Sequence, residues 1–220
     1  MAQIFVSHSG KDLELVSFLS RAFSCTNVKA IFEEFEAIFA GPANAARIGN
    51  NIRQSNAVFV LLGRHVEELR HTRDWIGWES GFAAAPAGET NKDIWVLEPI
   101  TEADRLSVVI PHLRHYVCFD PSDERWQGYL TQIITSYDDS RFLKAMSGGA
   151  VAGAALAPRE ELWGGMAVGA FSGMLLAAFS SSTRPPGAPF RCPKCLSVYA
   201  VHLCANWMRC PVCNSRWQFQ

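Results

Sequence analysis

From Met1 to about residue 143 short apolar runs alternate with longer amphipathic ones: IFVS, DLELVSFLSRAF, KAIFE, ANAARIGNNIRQS, AVFVLLG, TRDWIGWESGFAA, DIWVLEPI, HYVCF and ERWQGYLTQIITSY. This alternation predicts strand, helix, strand, helix in repetition, and so an α/β domain on a parallel sheet. AVFVLL and IWVL are apolar at nearly every position, as strands covered on both faces are. The pattern holds five strand candidates. Ser9 and Asp12 have the [ST]-x-x-[DE] spacing of a capping box, which predicts a first helix starting right after the first strand. A ligand is then expected at the carboxyl ends of the strands.

The pattern changes at residue 144. Residues 144–183 are rich in Gly and Ala and nearly free of charge, with a weak repeat of GGAVAGA from Gly148 and GGMAVGA from Gly164. Gly149 and Gly153, then Gly165, Gly169 and Gly173, recur every four residues and line one face of each predicted helix with small residues. That is a glycine-zipper-like hairpin. Leu162–Phe179 is an uncharged run of 18 residues, at the lower limit for crossing a bilayer. Two readings stand, a helical hairpin used for self-association and a membrane segment across 145–180.

After the linker SSSTRPPGAP, residues 184–220 carry CPKC at Cys192 and Cys195 and CPVC at Cys210 and Cys213, with 14 residues between the pairs. Two such knuckles set four thiolates at tetrahedral reach of one ion, and four protein ligands leave no open position for a substrate. A small structural zinc ribbon is therefore expected. His202 and Cys204 are spare ligand types outside either pair and are read as bystanders. The chain thus divides into 1–143, 144–183 and 184–220.

Composition narrows the function. The formal net charge of −1, from 20 Lys and Arg against 21 Asp and Glu, gives no basic footprint for nucleic acid. Met1 leads straight into QIFVS without the basic and apolar regions of a signal peptide, which predicts a cytosolic location with membrane association through 145–180 left open. Cys25 and Cys118 stand alone and are read as reduced structural thiols. Glu33, Glu34 and Glu36 are read as a solvated loop.

Glu79 is the position that asks for chemistry. At helical spacing Trp75, Trp78, Glu79 and Phe82 share one face, so a carboxylate lies on an aromatic stripe. Burying it costs several kcal/mol unless it is paired. Either it reaches water at the rim or a ligand cavity opens beside it.

Residues 3 to about 136 resemble a TIR domain. The matching features are QIFVSHSGKD, AIFEEF leading into a loop with Ala40 and Gly41, ARIGNNIRQSNAVFVLLG, and RDWIGWESGFA, where Trp75 and Glu79 keep the W-x-x-x-E spacing. The resemblance implies a flavodoxin-like five-stranded parallel sheet. It also implies cleavage of NAD at the nicotinamide–ribose bond, with Glu79 as the catalytic carboxylate and Trp75 beside it. Nicotinamide leaves a cationic pyridinium without needing a proton, so one carboxylate can suffice where ordinary glycosidases use two. Water capture would give ADP-ribose, and capture by the substrate's own adenine or hydroxyl a cyclic isomer.

Some members place basic residues after the first strand, where this chain has Ser9 and Gly10. Those two are expected to offer backbone N–H groups to a phosphate at the helix N-terminus. Phe39 stands in the loop after the second strand, where an aromatic stacks on a base or packs against a second copy. The expected partners are NAD and further copies of the chain, joined through the TIR-like region and the glycine-rich segment. The alternative is a non-catalytic adaptor acting by self-association.

Overall fold

The computed structural model describes residues 1–34, 42–66, 81, 83, 92–103, 105–110, 112–138, 187–203 and 205–218. Phe39, Trp75, Glu79 and the glycine-rich segment 144–183 lie outside them.

All five expected strands are present: β1 (Gln3–His8), β2 (Lys29–Glu34), β3 (Ala57–Leu61), β4 (Asp93–Pro99) and β5 (His115–Phe119). They pair in parallel in the order β2-β1-β3-β4-β5. Among the described residues the helices with given bounds are α1 (Leu13–Ser24), α2 (Pro42–Gln54) and α3 (Glu124–Thr135), and Gly81 and Ala83 are also helical. The protein is α/β with a mostly parallel sheet, and the order of these five strands is compatible with a flavodoxin-like arrangement.

The sheet does not stop at five strands. The cysteine-bearing segment supplies β6 (Ala188–Arg191) and β7 (Val198–Leu203), and β7 pairs in parallel with β5 in the register His115↔Ala200 to Cys118↔Leu203. β6 closes the edge antiparallel to β7, giving seven strands in the order β2-β1-β3-β4-β5-β7-β6. A second, two-stranded sheet joins β8 (Trp207–Arg209) and β9 (Arg216–Gln218).

Alternate residues along each strand feed two cores. Ile4, Val6, Phe59, Leu61, Trp95, Leu97 and Val117 pack beneath α1 and α3, against Phe18, Leu19, Ile133 and Ile134. The opposite face holds Phe5, Val58, Val60, Ile94, Val96 and Tyr116. Over β1 and β3 it is covered by Ile48 and Ile52 of α2, which lie one turn apart. Over β4 and β5 the cover is different, because the described residues of the 100–114 connection form no helix. Leu106, Val108 and Ile110 from that connection and Cys192, Val201, Met208 and Cys210 from the C-terminal segment fill the place. The cysteine module does the work a crossover helix would do in a doubly wound sheet.

Two sequence expectations are corrected. α1 begins at Leu13, five residues past β1, and no capping box forms: Asp12 occupies the N-cap without a side-chain cap bond, and its carboxylate turns to His65 instead. Glu33 is not solvated. It is buried in β2, where Arg47 grips it with both guanidinium nitrogens, Nη2 to Oε2 at 2.9 Å, and Asn51 Nδ2 donates to Oε1 at 2.9 Å. A carboxylate buried on a strand needs such donors, and α2 supplies both from one face. Among the described residues no helix is long and apolar enough to cross a membrane.

Candidate functional site

Two places in the fold gather chemistry. The first is a cleft of about 410 Å³ at the carboxyl ends of the strands. Its walls come from the start of α1 (Lys11, Asp12, Glu14), the turn after β3 (Arg64, His65) and the turn after β4 (Thr101, Glu102). It sits where the chain leaves β1 for one side of the sheet and β3 takes the other, which is the crevice where open parallel sheets bind ligands.

Asp12 and His65 meet at the base of this cleft. Asp12 Oδ1 lies 2.6 Å from His65 Nδ1, with side chains 4% and 17% exposed. Asp12 Oδ2 is buried with no hydrogen-bond partner. The carboxylate lies so close to Gly63 that a Cβ there would come within 2.2 Å of Oδ2, so only glycine admits it. Glu102 Oε2 is also buried without a partner.

The two residues expected to cradle a phosphate contribute less than their positions suggested. Ser9 is fully buried, its hydroxyl accepting the Lys11 N–H at 3.3 Å and its carbonyl the Asp12 N–H at 3.2 Å. Gly10 is packed against the Glu34 side chain, whose carboxylate a Cβ at Gly10 would meet at 2.9 Å. A phosphate placed there would face a like charge. His8 is a buried strand-end histidine, its Nδ1 3.0 Å from the Ser9 carbonyl. Arg64 and His65, which sequence reading passed over, lie in the cleft itself. Their signal was available: GRHV follows directly on an all-apolar strand, so its polar residues must emerge at a carboxyl end.

The second place is the quartet Cys192, Cys195, Cys210 and Cys213, whose sulfurs all lie within 4.8 Å of one another and could hold a metal ion. Each knuckle is the same turn. Leu196 N–H donates to the Cys192 carbonyl at 2.8 Å and Cys192 N–H to the Ser197 carbonyl at 2.9 Å; Asn214 and Cys210 repeat both bonds at 2.8 and 2.7 Å, the latter to Ser215. Burial pushes the Cys192 thiol up, yet the backbone N–H groups of Cys195 and Lys194 and the Ser215 hydroxyl outweigh it and hold it down at about 6. Ser197 lowers Cys195, whereas burial raises Cys210 to about 12. His202 is not in the quartet, since its Nδ1 meets the Tyr129 hydroxyl; Cys204 lies outside the described residues.

Each knuckle turns through a left-handed residue, Leu196 at φ 61° and Asn214 at φ 60°. Asn tolerates that conformation, while a leucine pays about 1–2 kcal/mol for it. Leu196 is 60% exposed and gains little from packing. Leu196→Asn is therefore expected to stabilise the protein by about 1 kcal/mol, read as a higher thermal midpoint. An unchanged or lower midpoint would show the turn to be unstrained.

The module is welded to the sheet. Arg209, beside Cys210, and Glu98 of β4 are both fully buried and paired fork to fork, Nε to Oε1 and Nη2 to Oε2 at 3.1 Å each. Arg209 Nη1 also donates to the Val108 carbonyl at 2.7 Å, and the Tyr116 hydroxyl donates to Glu98 Oε2 at 2.8 Å. Burial, then the Glu98 charge, pushes the Tyr116 phenol well up.

No protein-family model and no curated protein matches the chain. Among solved structures it is similar to FerB, a flavoenzyme NAD(P)H:(acceptor) oxidoreductase from Paracoccus denitrificans, at 13% identity and a TM-score of 0.37 over 62% of this chain and 95% of that one. A superposition this loose carries no argument about chemistry.

Proposed function

We propose that the chain cleaves NAD between nicotinamide and ribose, as its TIR-like sequence implies, with Glu79 as the carboxylate that stabilises the developing oxocarbenium charge. The observation that supports the reading is the cleft at the switch point between β1 and β3. It has the position of a dinucleotide crevice, and Lys11 and Arg64 bring two cations to its walls beside the start of α1. In this reading the diphosphate is met by Lys11 and Arg64, and Ser9 and Gly10 shape the turn that carries Lys11. The ribose hydroxyls would find acceptors in the cleft's carboxylates. Trp75 would wall the reacting centre from water and Phe39 would stack on a base or on a second copy.

The cysteine quartet is assigned a structural zinc. Tetrahedral ligands at ~2.3 Å from zinc stand about 3.8 Å apart, and the sulfurs of Cys192 and Cys213 and of Cys195 and Cys210 are 3.6 and 3.9 Å apart. Four thiolates fill the shell, so the metal's part is to hold the fold.

The test is nicotinamide release from NAD by the purified full chain, assayed both dilute and at concentrations that promote self-association. Glu79→Ala is expected to lower the rate by at least about 10²-fold, the scale for losing one transition-state stabiliser. Equal release by the variant would refute the assignment, and no release by wild type under either condition would leave the adaptor reading in its place.

A further inference from the structure

We infer that a second cavity at the carboxyl ends of the strands is a subsite for a nucleobase carrying an exocyclic amine; that this base is the adenine of NAD rests on the NAD-cleaving reading above. The cavity, of about 570 Å³, lies between the end of β7 and the start of α3. Ile100, just past β4, and Leu203, the last residue of β7, give it apolar walls, and Trp126 and Tyr129 of α3 give it aromatic ones. Its size is within the range of about 300–1,000 Å³ that small-molecule sites occupy.

The two cavities share a wall. Pro99, Thr101 and Pro121 line the cleft of Lys11 and Arg64, while their chain neighbours Ile100 and Asp120 line this one. A ligand lying along the strand ends, across the turns after β4 and β5, therefore reaches from one to the other. A dinucleotide whose diphosphate meets Lys11 and Arg64 can place one of its bases here.

The lining selects the ligand. The Trp126 and Tyr129 rings meet edge to face, centroids 5.1 Å apart at 67°, and make a corner in which a flat ring can stack on one and abut the other. The Tyr129 hydroxyl is held against His202 Nδ1, which fixes that ring. Asp123 is occupied by Arg125, Oδ2 to Nη2 at 2.7 Å, so Asp120 is the carboxylate offered to a ligand. Asp120 Oδ1 accepts the Ser122 N–H at 2.9 Å and the Ser122 hydroxyl at 2.6 Å, which leaves Oδ2 as the oxygen a ligand meets. A carboxylate accepts and does not donate, so it favours an amino group at the edge of the base over a carbonyl. Adenine carries that amine. Hypoxanthine puts an oxygen in its place.

The experiment titrates the purified full chain with adenosine and inosine by ligand-observed NMR, which needs no turnover. Adenosine should bind about 10-fold tighter than inosine or better, the scale for a hydrogen bond to a charged group. Trp126→Ala should weaken adenosine about 5-fold or more, the loss of one stacking side chain. Asp120→Asn offers an amide N–H where Oδ2 stood and should narrow or invert the preference between the two nucleosides, which a loss of packing would not do. Wild type that fails to bind adenosine, binds inosine equally well, or binds choline as tightly as adenosine overturns the subsite. Nicotinamide release from NAD with the same KM in wild type and Trp126→Ala overturns the adenine assignment and leaves the NAD reading standing. Discrimination between the nucleosides in a chain that releases no nicotinamide upholds the subsite and overturns the NAD reading instead. Should Trp126→Ala not fold, the wild-type preference and its change in Asp120→Asn decide alone.

Discussion

Arg209→Ala is expected to destabilise the whole protein by about 3–5 kcal/mol, the scale for stranding one half of a buried ion pair. The reason lies in what it leaves behind. Glu98 loses both guanidinium bonds while fully buried, keeping only the Tyr116 hydroxyl, and the Val108 carbonyl loses its donor. Against a total stability of about 5–15 kcal/mol for an ordinary domain, that is a large fraction. Glu98→Leu combined with Arg209→Met should recover much of the loss, since burying neither charge removes the desolvation penalty. The double variant should still fall short of wild type by about 1–3 kcal/mol, because the Val108 carbonyl remains buried without its partner. Guanidinium unfolding of the single and double variants measures both. A loss below about 1 kcal/mol in Arg209→Ala, as for an exposed pair, would mean that water reaches the site.

That pair explains why the sequence reading got the first five strands and missed their continuation. Strands such as AVFVL and IWVL announce themselves because every residue is apolar, and no distant partner is needed to see it. The four cysteines were equally legible, because the C-x-x-C spacing is local. Their docking was not. It depends on Arg209 finding Glu98 across 111 positions, and neither residue signals the other in the chain. One clue was present: HYVCF is apolar through most of its length, and a strand of that character makes a poor sheet edge, so a further neighbour was implied. The misplaced start of α1 has the same origin. Ser9 and Asp12 satisfy a capping pattern locally, but His65 competes for the Asp12 carboxylate and wins it. Glu33 looked like solvent-facing acid until α2 brought Arg47 and Asn51 over it. Of the cleft, the β1 side lies at the strand ends where the sequence placed the turn of Ser9 and Gly10, while the β3 side, Arg64 and His65, needed the strand order to place it.

Stripping zinc from the site proposed at the four cysteines is expected to unfold more than the cysteine module. A structural zinc held by four thiolates contributes about 10–16 kcal/mol of apparent binding free energy, comparable to the whole stability of a domain. In a separate ribbon that loss would stay within the ribbon. Here Cys192, Val201, Met208 and Cys210 belong to the same core as Val96, Tyr116 and Cys118, and β7 is bonded to β5 along four residue pairs. Removing the ion therefore exposes the face of β4 and β5 that Cys192, Val201, Met208 and Cys210 help to cover, and frees the β5 edge. Hydrogen exchange before and after chelation checks this directly. Amides of β7 should lose protection, and those of β5 and β4 should lose it with them, while β1 and β2, covered by α1 and α2, should hold longest. Chelated protein in which only residues 187–218 open, with β5 as protected as before, would mean that the sheet is self-sufficient and the module an appendage. Cys210→Ser should reproduce the chelated pattern without any chelator, since it removes a buried ligand of the same centre. Because β4 runs on through Pro99 to Thr101 and Glu102 in the cleft wall, the same opening would loosen one side of the proposed dinucleotide site. Loss of metal should then lower nicotinamide release even though the proposed reaction uses no cysteine.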